Sequence, residues 1–333
     1  MRLESQVHER NLVRWAADRP EVVVFSADLT SSTEARLFQE TYPERFYSFG
    51  MTEQNMVGVA GGMAREGYTP FLHTFAVFLY RRALDQIQMN VAYPNLPVRI
   101  FGFLPGVTTP GGATHQAIDD IAIMRALPNM TVLETGDAAD VESVLDVAQA
   151  VPGPVYVRML RGQIPRLFTD PMRLGRPRTL SEGTDVTLLT AGITTEEAMR
   201  ASQALAAKGV SLEHLHVTTH KPFDAAAVLP SLTKPRYGVI TFENHSVIGG
   251  LGTEVAEVMA EHGVGVPLLR LGIPDTYVHG GSKPYLMRYY GLDAAALVRG
   301  VERLLGRSLG IEEEDLAAVR VEPVHDKFRA EAL

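Results

Sequence analysis

The stretch Phe46-Tyr47-Ser48-Phe49-Gly50-Met51-Thr52-Glu53-Gln54-Asn55-Met56-Val57-Gly58-Val59-Ala60-Gly61-Gly62-Met63 decides the fold. It reads as a short apolar strand, a glycine turn and a helix over residues 53–66. Thr52 is placed as the N-cap and Glu53 in the first turn, where a carboxylate suits the helix dipole. Gly58, Ala60, Gly61, Gly62 and Ala64 are weak helix-forming material, because glycine costs about 1 kcal/mol against alanine. Close approach of another backbone or of a ligand would offset that cost. A carboxylate at the mouth of such a helix either caps it or does acid–base work on what sits there. Spacing alone leaves both readings open.

Outward from this stretch, apolar β-branched runs alternate with helical patterns. Strands are expected at Val22-Val23-Val24-Phe25 and over residues 69–73, 98–103, 131–134 and 155–158. Helices are expected over 76–91, 117–126 and 138–148. Strands spaced in this way imply right-handed βαβ units and a parallel sheet. Residues 165–184 break the rhythm with Pro165, Pro171, Gly175, Pro177 and Gly183 among Arg166, Arg173, Arg176 and Arg178, and read as a linker. Strands then resume over 185–190, 212–217, 239–242 and 267–271, with helices over 194–208 and 253–261. Gly209, just past Lys208, suits a left-handed helix C-terminus. The reading is α/β with two doubly wound domains, residues 1–164 and 185–307. An acidic tail, 308–333, follows, in which Glu312-Glu313-Glu314-Asp315 opens a short helix.

The 333 residues suffice for two ordinary domains, and 46% hydrophobic with 21% charged content is core-forming. No window approaches the roughly 18 uninterrupted apolar residues of a membrane span. The N-terminus, Met1-Arg2-Leu3-Glu4-Ser5-Gln6-Val7-His8, lacks the pattern of a secretory signal, so a cytoplasmic protein is expected. Cysteine is absent, which excludes disulfides, thiol chemistry and thiolate metal sites. A net charge of −8 argues against nonspecific nucleic-acid binding.

Five further clusters invite a chemical reading. Phe75 and Phe78 are three apart and share a helical face, so they either sandwich a flat heteroaromatic ring or fill the core, with Arg81 one turn on. His115, in Pro110-Gly111-Gly112-Ala113-Thr114-His115-Gln116, sits at a loop-to-helix junction. There it either meets a substrate oxygen or is a capping or solvated histidine. Arg158 and Arg161 follow the last strand of the first domain, where a cation suits a phosphate or carboxylate, or acidic groups of the linker or an interface. His214, His216 and His220 share one strand parity, but nothing nearby completes a metal site. Gly249-Gly250-Leu251-Gly252 lacks dinucleotide-binding spacing and reads as a tight turn into a helix.

Together these segments resemble the C-terminal half of transketolase. The resemblance rests on Ser26-Ala27-Asp28-Leu29-Thr30, Glu53-Gln54-Asn55-Met56, Phe75 with Phe78, Thr114-His115-Gln116 and Pro128-Asn129-Met130. In the second half it rests on Lys221-Pro222-Phe223-Asp224, Thr241-Phe242-Glu243-Asn244-His245, Gly249-Gly250-Leu251-Gly252 and Leu271-Gly272-Ile273-Pro274-Asp275. It implies a pyrimidine-binding thiamine-diphosphate fold followed by a transketolase C-terminal-like α/β domain, and transfer of a two-carbon ketol unit between phosphosugars. The residue matching Glu53 contacts the cofactor's aminopyrimidine nitrogen and shares a proton with it. By the same resemblance Phe78 stacks on the pyrimidine, Phe75 and Arg81 border it, and Asp28 and Ser32 lie on the cofactor and substrate sides of the early loop. His115 would bind the donor's hydroxyl groups and Arg161 its terminal phosphate, with Arg158 beside it.

The family grips the diphosphate and Mg2+ through a Gly-Asp-Gly motif, which occurs nowhere in this chain. The chain therefore resembles one subunit of a split transketolase, with the motif on a separate N-terminal subunit and a two-fold heterotetramer as the assembly. No metal ligand is expected here. Gly111 replaces a sugar-reading aspartate, Phe103 stands near the position of a substrate histidine, and Arg81 replaces a tyrosine, as in 1-deoxyxylulose-5-phosphate synthase. A branched, shortened or modified ketose phosphate is the substrate these departures suggest. The rival readings are the beta subunit of a 2-oxo acid dehydrogenase decarboxylase and a noncatalytic scaffold.

Overall fold

In the computed structural model, which describes residues 3–324, three sheets organise the chain. In chain order the strands are β1 (Leu3–Ser5), β2 (Val22–Ser26), β3 (Phe46–Ser48), β4 (Thr69–Phe75), β5 (Arg99–Phe103), β6 (Thr131–Glu134) and β7 (Val155–Met159). They continue as β8 (Gln163–Pro165), β9 (Arg178–Ser181), β10 (Val186–Thr190), β11 (Leu212–His216), β12 (Thr219–Lys221), β13 (Gly238–Ser246) and β14 (Leu268–Ile273). The first large sheet has the order β12-β6-β7-β5-β4-β2-β3 and the second β14-β13-β10-β11-β9, while β1 and β8 pair by themselves. All pairings of β2 to β7 within the first sheet are parallel. Helices cover both faces, so β2, β4, β5 and β7 are buried along their whole length, with His73, Thr74, Arg99 and Arg158 buried among apolar neighbours. Parallel strands put their carboxyl ends on one edge, where Phe75 ends β4, Glu53 opens its helix, and Asp28, His115 and Arg161 lie on loops.

Three elements depart from expectation. The stretch read as a linker is packed: Leu167 and Phe168 are fully buried, and β9 pairs antiparallel with β11. Arg178 fixes it by donating to Asp140 at 2.6 Å and to Asp170 at 3.1 Å. Second, β12 leaves the second domain and adds an antiparallel edge strand to β6 of the first sheet. Third, the helix expected over 76–91 is broken into Ala76–Arg82, Leu84–Gln86 and a π-turn over Ile87–Ala92. The π-turn lies against the glycine-rich helix Glu53–Arg65. A Cβ on Gly61 would sit 2.5 Å from the Asn90 carbonyl oxygen, so glycine is the residue that permits this approach. Its helix cost is thus offset inside the chain. Gly61→Val is expected to destabilise by about 1–3 kcal/mol through overpacking; an unchanged midpoint in thermal unfolding would contradict the contact.

The helix expected over 117–126 starts later, at Asp120, and the terminal helix Glu313–Ala318 forms with the Glu312 and Asp315 capping box. The part of the acidic tail beyond residue 324 lies outside the described residues. Among the described residues no helix is long and apolar enough to cross a membrane.

The two large sheets meet through buried charge. Arg158, fully buried, donates to Asp120 at 2.9 Å, to Glu134 at 2.5 Å, and to the Ala117 and Asn244 carbonyls at 3.1 and 3.0 Å. His220 bridges Glu134 and Glu254 at 3.0 and 3.1 Å. Burial opposes its charged form, but Glu254 and Glu134 outweigh that and raise His220 to about 10. Burial pushes Glu243 up to about 8, against the amides of Leu251 and Gly252 that donate to it. His220 therefore contributes stability that is complete below its unfolded value near 6.5 and is lost as pH rises through about 10. Glu243 adds to the loss, since above pH 4.5 the unfolded chain ionises it and the folded chain does not until about 8. Unfolding free energy from urea titrations is expected to fall between pH 6.5 and 10, and to fall less steeply in His220→Asn. A flat profile would remove the buried cation from this account.

Candidate active site

Glu53 stands at the carboxyl edge of the first sheet, in the first turn of its helix and 3% exposed. Thr52 occupies the N-cap position, yet its hydroxyl donates to the Phe49 carbonyl at 2.7 Å and leaves the helix amides uncapped by its side chain. One Glu53 oxygen accepts from Arg82 Nη1 at 2.7 Å. The Arg82 guanidinium also lies 4.1 Å over the Phe78 ring. A hollow of about 500 Å3, lined by Met51 to Asn55 and Arg82, opens over these groups.

Phe75 ends β4, and Phe78 lies in the first turn of the next helix, with ring centroids 5.7 Å apart. His115 meets both edge-on, at 5.4 Å from Phe78 and 6.3 Å from Phe75, and its Nδ1 is 2.9 Å from the Thr114 hydroxyl. Arg161 approaches Phe75 from the far end, 5.9 Å from the ring centroid. The structure therefore brings Glu53, Phe75, Phe78, His115 and Arg161 into one continuous row. Asp28 sits on the loop after β2 on the same edge, exposed, with a left-handed φ of 60°, and Ser32 follows it on that loop.

Two candidate arginines are reassigned. Arg81 points away from the ring face: it donates to the Ala113 carbonyl at 2.7 Å and pairs with Asp119 at 3.5 Å, bracing the loop that carries His115. Its neighbour Arg82 lies i+4 from Phe78 on the same helical face and takes the ring and Glu53 instead. That spacing was readable in the sequence. Arg158 is committed to the interior, its guanidinium filled by Asp120, Glu134 and two carbonyls. Both acids are far off in sequence, which hid this role.

The histidines of the second half are likewise internal. His214 lies 2.9 Å from the Thr190 hydroxyl, and His216 bridges Thr195 and Asp140 at 2.8 and 3.0 Å. Gly249 to Gly252 turns into a helix whose first amides, Leu251 and Gly252, donate to Glu243. Among the described residues no group of three or more His, Asp or Glu is placed to hold a metal ion.

The second domain also shapes the His115 loop. Asn244 accepts from the Val107 amide at 3.0 Å and donates to the Pro105 carbonyl at 3.1 Å. Gly106, with φ 55°, leaves room for that amide, because a Cβ there would run into Asn244 Oδ1. Further along, the Gly281 amide donates to the Pro110 carbonyl at 3.3 Å.

With this geometry in view, comparison with known proteins decides the family. Residues 5–166 match the pyrimidine-binding domain of transketolase, and residues 175–297 its C-terminal domain. The chain belongs to the transketolase family. It is 40% identical over 299 residues to a 6-deoxy-6-sulfo-D-fructose transketolase subunit of Clostridium sp. (strain MSTE9), covering 89% of this chain and 92% of that one. It is 33% identical to an apulose-4-phosphate transketolase subunit of Actinobacillus succinogenes, covering 84% and 90% respectively. Among solved structures it resembles a split-gene transketolase described as an inactive beta4 tetramer, with TM-score 0.82 and 38% identity over 90% of this chain and 97% of that one. The transketolase family match bears out the α/β fold read from the sequence, and these relatives bear out the split-subunit resemblance.

Proposed function

We propose that this chain is the half of a two-chain, thiamine-diphosphate-dependent transketolase that receives the pyrimidine end of the cofactor and the sugar. One observation carries the reading. Arg82, a planar hydrogen-bonding group, already makes the two contacts an aminopyrimidine requires: it stacks on Phe78 and pairs with the nearly buried Glu53. The pyrimidine end therefore fits the residues present. The diphosphate and Mg2+ do not, since the chain lacks the Gly-Asp-Gly motif, so both are assigned to a partner subunit.

When bound, thiamine diphosphate supplies the nucleophilic carbon and electron sink that cleaving a ketose carbon–carbon bond requires. Glu53 holds and moves a proton at the aminopyrimidine nitrogen, with Arg82 beside it. Phe78 and Phe75 exclude water from the ring. His115, fixed by Thr114 and packed against both rings, donates to or accepts from substrate hydroxyl groups. Arg161 meets the anionic end of the sugar. The exposed apolar side chains Met51 before Glu53, Val59 further along its helix, and Met89 and Tyr93 on the π-turn and just past it, offer the partner a seat.

The sugar specificity is proposed to differ from that of pentose-phosphate transketolases. Gly111 removes an aspartate, and the relatives named for a sulfonated ketose and for apulose 4-phosphate support a modified or branched ketose. Co-expression with a partner chain that carries the missing motif, followed by a donor–acceptor screen, tests this. His115→Ala in that enzyme is expected to lower kcat/KM by about 10²–10⁴-fold; retention of full efficiency would remove His115 from the site.

A further inference from the structure

A cleft of about 250 Å3 opens beside Arg161, with walls from both domains. Leu104, Thr108, Arg161, Gln163, Ile193 and Lys283 line it, together with neighbouring backbone. Its lining carries two cations and no carboxylate among the described residues. Arg161 Nε is buried and has no hydrogen-bond partner. The carboxylate that acts on Arg161, Glu34, takes the Gly162 amide at 2.7 Å, and burial pushes it toward its neutral form. Arg161 thus brings an open donor to the cleft lining.

Lys283 opens the helix Lys283–Tyr289 of the second domain and is exposed. It is carried there by Gly280 and Gly281, which rest against Pro110 and Gly112 of the His115 loop. On the first-domain side Leu104, at a left-handed φ of 60°, follows fully buried Phe103 and lines the cleft. No cation from that segment faces the cleft, and the second domain supplies one in its place.

We propose that Lys283 and Arg161 together hold the tetrahedral oxyanion, phosphate or sulfonate, at the far end of the sugar substrate, and that Lys283 sets the preference for it. This rests on the ketol-transfer reading for the identity of the sugar. Arg161 joins the Phe75 ring to the cleft, so a sugar reaching from His115 would place its anionic end there. Two cations in a partly desolvated cleft favour an anion over its neutral analogue, through charge-assisted hydrogen bonds.

The test is an NMR binding titration of the full-length chain with D-fructose 6-phosphate, 6-deoxy-6-sulfo-D-fructose and D-fructose. At least one anion is expected to bind tighter than D-fructose, and which one it is separates phosphate from sulfonate. Lys283→Met is expected to weaken that anion about tenfold or more, the scale of one charge-assisted hydrogen bond, and to leave D-fructose unchanged. Lys283→Arg is expected to retain most of the preference. In the reconstituted enzyme, Lys283→Met should raise KM for the anionic sugar donor by more than it changes kcat. No anion preference in the wild-type chain, or equal loss for anions and D-fructose in Lys283→Met, would overturn the proposal. A chain that selects anions through Lys283 but supports no ketol transfer with any partner would instead sink the transketolase reading and leave this site standing.

Discussion

Glu53→Ala in the reconstituted two-chain enzyme is expected to lower kcat by about a thousandfold, within the 10²–10⁴ range of a positioned proton-transfer group. The variant should fold, since among the described residues the Glu53 carboxylate pairs with half-exposed Arg82 at the surface end of the helix. Glu53→Gln separates the two readings the sequence left open. A glutamine keeps the hydrogen bond and the shape but cannot take up and return a proton. If Glu53 only caps a helix, Glu53→Gln should turn over normally, and stability should fall slightly. If it works on the cofactor, Glu53→Gln should lose nearly as much kcat as Glu53→Ala with an unchanged unfolding midpoint. A scaffold would tolerate both.

Arg158→Met is expected to cost about 3–5 kcal/mol of stability, because it leaves Asp120 and Glu134 buried without their cation. Urea unfolding measures this directly. Arg158→Lys should recover little, since one ammonium cannot reach two carboxylates and two carbonyls with the planar fork that arginine offers. The effect should appear in the chain alone, without cofactor or sugar. A loss below 1 kcal/mol accompanied by a raised KM would return Arg158 to the substrate site, where its position at the end of β7 first suggested it.

The contrast between Arg158 and Arg161 shows where sequence reading stops. Arg158 lies near the end of β7 and Arg161 just past it, three residues apart, and their local sequence does not say which of them faces inward. Their fates are set by Asp120 and Glu134 in one case and by an interdomain cleft in the other. Arg81 and Arg82 pose the same problem on a helix, though there the i+4 spacing from Phe78 could have resolved it. The parallel sheet was legible because strands buried on both faces leave unbroken apolar runs such as Val22 to Phe25. β9 and β12 were not, since Arg178-Thr179-Leu180-Ser181 and Thr219-His220-Lys221 are polar edge strands whose pairing depends on distant partners. Glu53, Phe75, Phe78 and His115 were legible as a set because each lies in a compact local motif. The contribution of the second domain was invisible for the opposite reason. Asn244 and Lys283 reach the first domain's loops only after both sheets are formed and the buried charges join them.

This chain is proposed to hold half of a cofactor site. Ketol transfer is measured with thiamine diphosphate and Mg2+ present, first with the purified chain alone and then after addition of a partner chain that carries Gly-Asp-Gly. The expected result is no detectable transfer by the chain alone and turnover in the mixture that Glu53→Ala abolishes. Appreciable transfer by the single purified chain would contradict it.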